Sequence, residues 1–459
     1  YPRPQMRRDS YVNLNGMWDF TVSPEATLPT AYDRKIRVPF CPESQLSGVK
    51  NHPTDGAYIF YRRTFVVPAK LEQGRVLLHI DAADQETFVY VNQKFCGHHI
   101  GGYDNQVYDI TDVLQEENEL VVRCYDDLKD QAFPYGKQTL KRGGMWYTPV
   151  SGIWQTVWLE CVPERHIEKL SIENRGNSVT VSIEPALEGK VTVAGLGDFS
   201  LKNGSATITP ENPHYWSPED PYLYDFAVEA GEDRIESYFA IRTLEIKEVG
   251  GYQRLCLNGK PYFFHGLLDQ GYWPDGLFTP AAPECYAEDI LEMKKLGFNT
   301  LRKHIKVEPE EFYYQCDKLG MIVFQDMVNN GDYSFFRDTA LPTIGIQKLN
   351  DKNLHKDERT RKMFLSSMEA TVNQLKNHPC ICYWTIFNEA WGQFDSDNVY
   401  EIFKKLDDTR FIDSTSGWFR RKKTGVDSRH VYFKPIKLKA GDKPLVLSGF
   451  GGYSYKPAG

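Results

Sequence analysis

No window of the 459-residue chain reaches the roughly 18 apolar residues that a membrane span requires, so no membrane role is expected. The opening stretch, YPRPQMRRDSYVNLNG, lacks both the apolar core of a signal peptide and an initiator Met, and reads as a trimmed start. The 9 cysteines form no CxxC pair and stand singly apart from Cys380-x-Cys382. An odd, unpatterned set of this kind reads as reduced, buried thiols in a cytoplasmic protein, the alternative being a secreted or periplasmic form with its signal removed. An excess of positive charge is missing too: the formal net charge is -8 and the pI about 5.8, which excludes a polyanion such as nucleic acid as the main partner. The local basic run at residues 419–424, FRRKKT, reads as a solvated loop. No internal repeat, low-complexity tract, His-x-His or HExxH spacing occurs, so neither a metal nor another cofactor is expected.

Aromatic residues, by contrast, are plentiful, at 14% of the chain with 9 Trp, 27 Tyr and 26 Phe. Most such rings build cores, but their flat faces also suit sugar rings. Length alone implies two to four domains. From about residue 10 to 160, short alternating segments such as YIFYRRTFVVP, RVLLHIDA and NELVVRCYDD predict an all-β sandwich, with Asn92-Gln93-Lys94 as a hairpin turn. A second strand-dense stretch, residues 161–245, fits a small immunoglobulin-like sandwich without a disulfide.

Near residue 250 the pattern changes to strand–helix alternation, which predicts parallel strands with crossover helices. GLLD, FNTLRKH, MIVFQDM, CICYWTIFNE, RFIDSTSGW, RHVYF and PLVLSGFGG supply about seven strands, one short of a closed eight-stranded barrel. The expectation is therefore a TIM (β/α) barrel over residues 246–459, truncated after strand seven.

Function in such a barrel sits at the C-terminal strand ends. Those ends carry His265 and Asp269, then Arg302 and His304, Asp326, Asn388 and Glu389, Trp418, and finally His430 and Tyr432. Singly each is weak evidence, because an Asp after a strand is more often a helix cap and a lone His a core residue. Carboxylates, cations and aromatics recurring at every strand end suit glycoside cleavage, which needs an acid for the bridging oxygen and a second carboxylate at the anomeric carbon. Asn388 is placed to hold a sugar 2-OH and Glu389 to act as acid and then base. Burial should raise the Glu389 pKa unless a charged partner is close.

The motifs resemble glycoside hydrolase family 2, the β-galactosidase, β-glucuronidase and β-mannosidase group. YVNLNGMWDF, FYRRTFVVP, VYDITDVLQEENELVV and SGIWQTVWLE are similar to its N-terminal jelly-roll sugar-binding domain, and LNGKPYFFHGLLDQG to the start of its barrel. FNTLRKHIKVEPEEFYYQCDKLGMIVFQD resembles its second and third strands, and IFNEAWG its acid/base motif. The resemblance implies Glu389 as acid/base and Asn388 as its 2-OH partner. It implies Trp418 as a wall of the glycone site and Tyr432 as a hydrogen-bond partner of the nucleophile, with Asp269, Arg302 and His304 among the substrate-binding groups. The implied activity is retaining hydrolysis of β-glycosides at non-reducing ends, β-galactosidase-like, with β-glucuronidase or β-mannosidase specificity as alternatives. A carbohydrate is the implied partner, and a homo-oligomer is open.

Two departures stand out. Where many members read Arg-x-Ser-His-Tyr-Pro, this chain has Arg302-Lys303-His304-Ile305-Lys306, which predicts a His and two Lys near the mouth. Where the family's nucleophile Glu belongs, PLVLSGFGGYSY has Gly449, which predicts a carboxylate-sized cavity facing Glu389 and an impaired enzyme. A carbohydrate-binding protein without turnover is the competing class; a structural multi-sandwich adhesin fits the strand-end polar groups less well.

Overall fold

A computed structural model describes residues 1–53, 55–71, 74–141, 143–346, 350–432 and 435–451. Alternation decides the first body. In Gly16–Ser23, Trp18 and Phe20 are buried while Met17 is 52% exposed, the period-two pattern of a strand with one wet face. This strand lies in a six-stranded antiparallel sheet that runs, in spatial order, Arg34–Val38, Gly16–Ser23, Tyr58–Phe65, Asn118–Tyr125, Glu86–Val91 and Lys94–Ile100. A four-stranded sheet of Tyr11–Asn13, Val157–Val162, Arg75–Ile80 and Gln106–Asp109 closes over a core that includes Trp18, Tyr61, Leu78, Val122 and Leu159. The predicted hairpin is present: Asn92 and Gln93 take φ of 51° and 65°, the left-handed pair that a two-residue turn between twisted strands needs.

The second body packs the three strands Lys169–Arg175, Ser178–Glu184 and Ser205–Ile208 against a four-stranded sheet containing Gly189–Val193 and Tyr224–Ala230. Its core, with Val181, Val191 and Phe226, also takes in Met6 from the start of the chain. Arg8 ties the two sandwiches together, its buried guanidinium 2.9 Å from Glu160 of the first and 2.6 Å from Asp233 of the second.

After the hairpin Leu244–Val249 and Tyr252–Leu257, five parallel strands form one sheet in chain order: Gly266–Asp269, Thr300–Lys303, Ile322–Asp326, Ile381–Asn388 and Phe411–Ser416. Helices Glu284–Lys295, Glu310–Leu319, Glu358–Leu375 and Ser396–Leu406 cover them. The fourth strand, ICYWTIFN, is buried along its whole length, which is why it reads as a continuous apolar run rather than an alternating one. The sixth and seventh strands, Asp427–Val431 and Leu445–Phe450, pair in parallel with each other. Among the described residues they join the fifth through the backbone bond Gly425 N to Ile412 O at 2.9 Å and through side chains, Ser428 Oγ donating to Asp413 Oδ1 at 2.9 Å and Ser416 Oγ lying 3.0 Å from His430 Nε2. The seven expected strands are thus divided five and two. Among the described residues the outer edges of the first and seventh strands have no ladder partner, and Leu268 and Phe450 lie exposed there. The residues after Gly451, where the GYSY of the Gly449 stretch falls, lie outside the described set.

What positions the site is a long excursion of the first sandwich. Between the strands Asn118–Tyr125 and Gly152–Ile153 the chain leaves its own domain and runs over the barrel mouth. There Gly136 N donates to Asn329 O at 3.0 Å, Tyr135 Oη to Gly331 O at 2.7 Å, and Asn330 Nδ2 to Ala132 O at 2.6 Å.

Candidate active site

The fourth barrel strand ends in backbone strain. Glu389 and Ala390 take φ of 49° and 69°, two consecutive left-handed residues that are not glycine. Such a pair is held only where surrounding structure imposes it, and it gathers at working sites. Here Glu389 N donates to Ser416 O on the fifth strand at 3.0 Å. The turn carries the Glu389 carboxylate to the sixth strand, where its Oε1 lies 2.6 Å from His430 Nδ1. Its side chain keeps 16% exposure, a mostly buried carboxylate with one open side.

His430 is the hub. Its Nε2 lies 3.0 Å from both Ser416 Oγ and Ser448 Oγ and 3.1 Å from Arg302 Nη1. Arg302 uses its whole fork: Nε and Nη2 grip Asp326 at 3.1 and 3.0 Å, Nη2 donates to Asn388 Oδ1 at 2.8 Å, and Nη1 donates to the Ser448 carbonyl at 2.9 Å. Occupying that oxygen fixes the orientation of the Asn388 amide. Burial alone would push the Glu389 carboxyl up. The His430 charge and hydrogen bond, helped by Lys137 and Tyr432, reverse that and hold it well below the usual carboxylate range. A raised value was expected only where no charged partner is close, and here His430 sits within contact.

Gly449 pairs with His430 in the ladder between the last two strands. A Cβ there would meet Tyr432 Oη at 2.7 Å and the His430 ring at 3.0 Å. The expected carboxylate-sized cavity is thus taken up by the imidazole and the phenol, and the His430 ring separates Gly449 from Glu389. Trp418 stands edge-on to Tyr432, ring centroids 6.2 Å apart, at the same opening.

His304 belongs to this network. Its Nδ1 lies 2.6 Å from Asp326 Oδ2 and its Nε2 3.0 Å from Lys137 Nζ. Burial, with the Lys137 charge beside it, pushes His304 down to about 4, so the ring is neutral and accepts a hydrogen bond from the ammonium. Other predicted groups point elsewhere. Asp269 lies 2.8 Å from Lys303 Nζ, which also reaches Glu308 at 2.7 Å, and Lys306 sits 3.0 Å from the same Glu308. Of the two lysines expected at the mouth, Lys303 turns behind the strand to Asp269 and Glu308, whereas Lys306 stays beside Lys137 and Tyr147 with its Nζ donating to Gly271 O at 2.6 Å and Phe278 O at 2.7 Å. His265 is exposed, its Nδ1 3.3 Å from Gly297 O.

Sequence reasoning missed the contribution of the first sandwich. Lys137 and Tyr147 come from its excursion, as does Trp146, whose ring packs 5.2 Å from both Trp391 and Tyr333. The available signal was length: some two dozen residues separate two strands of one sandwich, and loops of that size in compact domains usually carry function.

Residues 248–434 match the family model described as "Glycosyl hydrolases family 2, TIM barrel domain", residues 165–242 "Glycosyl hydrolases family 2", and residues 45–163 "Glycosyl hydrolases family 2, sugar binding domain". A β-galactosidase of Thermoanaerobacter pseudethanolicus is 27% identical over 76% of this chain and 47% of its own length. A β-glucuronidase of Bacteroides fragilis is 23% identical over 86% of this chain and 58% of its own. The chain spans about half the length of the curated relatives it matches. The solved β-D-glucuronidase of Dictyoglomus thermophilum shares the fold with a TM-score of 0.77 at 20% identity, covering 99% of this chain and 85% of that one.

Proposed function

The chain belongs to glycoside hydrolase family 2, and from that premise we propose that its barrel pocket receives the non-reducing end of a β-glycoside, with Glu389 as the acid/base and turnover impaired by Gly449. The observation that carries the reading is Glu389 itself: a mostly buried carboxylate on a strained strand end, flanked by Asn388, His430 and Tyr432. In the retaining reaction a carboxylate attacks the anomeric carbon while the acid protonates the departing oxygen. The acid then takes a proton from the water that releases the sugar. Gly449 offers no atom for the attack. It also removes the neighbouring negative charge that would raise the Glu389 pKa, so Glu389 stays ionised and has no proton to give. That second point favours, as the alternative, a sugar-binding protein that does not turn over. Relatives carry both β-galactosidase and β-glucuronidase names.

The test is hydrolysis of nitrophenyl β-galactoside and β-glucuronide by the unchanged chain and by Gly449→Glu. The unchanged chain should stay at background. Gly449→Glu should gain several orders of magnitude with retention at the anomeric carbon once Tyr432 and His430 move aside for the whole side chain, since a Cβ alone already meets the Tyr432 hydroxyl at 2.7 Å and the His430 ring at 3.0 Å. An ordinary enzymatic rate from the unchanged chain would mean that another group is the nucleophile.

A further inference from the structure

At the base of the barrel, far from Glu389, the junction with the second sandwich gathers three cations. Arg242 follows the last strand of that sandwich, Asp233–Phe239, and is 4% exposed. It reaches under the fourth barrel strand, its Nε donating to Pro379 O at 2.7 Å and its Nη2 to Ile381 O at 3.0 Å. Arg410, one residue ahead of the fifth strand, donates from its Nε to the same Ile381 O at 2.9 Å. Two guanidiniums thus meet at one carbonyl. Lys376, at the end of the helix Glu358–Leu375, lines the same cleft.

Only one of the three has a counter-ion. Asp407 lies 2.9 Å from Arg410 Nη1, and the rest of that fork is spent on Thr409 and the carbonyls of Lys376 and His378. Among the described residues neither Arg242 nor Lys376 forms an ion pair: Arg242 Nη1 has no hydrogen-bond acceptor, and Lys376 Nζ has Asn373 Oδ1 at 3.3 Å. Burial, with the Arg410 charge beside it, lowers the Arg242 guanidinium from its ordinary value, and burial with the Lys169 charge does the same to Lys376. Carbonyls at a helix end carry only a fraction of a negative charge, so they fill hydrogen bonds without cancelling these cations. The cleft holds about 310 Å³, part of it open to solvent, and within it about 20 Å³ is free, above the roughly 10–15 Å³ that admits one water. Its amide walls are already satisfied, Asn174 Oδ1 by Arg242 N and Asn377 Nδ2 by Leu170 O. The donors left over are those of Arg242 and Lys376.

We infer that this cleft binds a small inorganic oxyanion, phosphate or sulfate, between Arg242 Nη1 and Lys376 Nζ, and that the bound ion clamps the second sandwich to the base of the barrel. A guanidinium and an ammonium lining one space are the usual grip on such an ion. The open side lets a tetrahedral ion set one oxygen in the free space and leave the others to water. Ile381 and Asn388 are opposite ends of one strand, about 23 Å apart at some 3.3 Å per residue, so the ion site does not depend on what the barrel mouth binds.

The test is the melting temperature of the unchanged protein at pH 7 in a zwitterionic buffer of constant ionic strength, with sodium chloride exchanged stepwise for sodium phosphate or sodium sulfate. At about ten times its Kd the oxyanion should raise the melting temperature by about 2 °C, and the rise should level off as the site fills. Calorimetric titration of phosphate into the same protein should show one site per chain. Lys376→Met, which removes a half-buried side chain and spares the Arg242 bonds, should lose most of the saturating rise, and Lys376→Arg should keep it. No change on exchanging the anion overturns the inference. So does a rise that grows without levelling or that Lys376→Met shows in full, since that is the general effect of excluded salts on any folded chain. Because the unchanged protein is titrated first, a variant that fails to fold does not shield the inference.

Discussion

Arg302 and Lys303 are neighbours on one strand, yet they build two different ionic assemblies. Side chains alternate across a strand, so Arg302 enters the pocket while Lys303 turns back toward the helix Glu310–Leu319, where its ammonium lies 4.3 Å from the Phe312 ring centroid. Around Lys303 the charges close on themselves: Asp269 and Glu308 face Lys303 and Lys306, two carboxylates for two ammoniums. The Glu308 carboxylate also accepts from Tyr286 Oη at 3.2 Å. In front, the network stays open. Asp326 is shared between Arg302 and His304, Glu389 is tied to His430, and Lys137 is left with a neutral partner. Completeness of pairing separates the two. A closed cluster fixes the chain, whereas the front network leaves a buried ammonium with no carboxylate partner among the described residues.

The comparison breaks most sharply at Glu308. Glu308→Gln leaves two buried ammoniums to one carboxylate and should cost about 3–5 kcal/mol of stability, the usual scale for breaking a buried pair from one side. Urea unfolding measures it, and a loss below about 1 kcal/mol would show the cluster to be wetter than its burial implies.

Acid titration probes the open side. His304 sits near 4 in the folded protein against about 6.5 in the unfolded chain, so between those values only the unfolded chain takes up a proton. Stability is fully present above about 6.5 and is lost as the pH falls toward 4, by up to about 3 kcal/mol. His79, buried in the first sandwich and also near 4, adds a limb of the same sign. His304→Asn should therefore reduce the difference in urea midpoint between pH 7 and pH 4.5 without abolishing it. An unchanged difference would assign the acid limb to the sandwich alone.

The smallest effect concerns the strap that brings Lys137 to the open network. Tyr135→Phe removes one buried bond to Gly331 O and should cost about 1 kcal/mol, read as a modest drop in melting temperature.

Much of this protein is written locally. Alternation and apolar runs are properties of adjacent residues, so strand and helix succession, the three-part layout and the Asn92-Gln93 turn could be read from the chain. The same holds for Asn388 and Glu389 at the end of a buried strand, and for the glycine at 449 where an attacking carboxylate is expected. Which groups face one another was not legible in that way. Lys303 stands next to Arg302 in the sequence, and only the alternation of side chains along the strand sends it to the other face, toward Asp269 and Glu308. Lys137 meets His304 across 167 positions of sequence, and Glu389 meets His430 across 41. Ionisation follows these through-space distances and the burial around them, so the sequence determined that a carboxylate stands at the strand end, while the tertiary structure decided that it is held charged by His430, with Gly449 behind the imidazole and a lysine from another domain beside it.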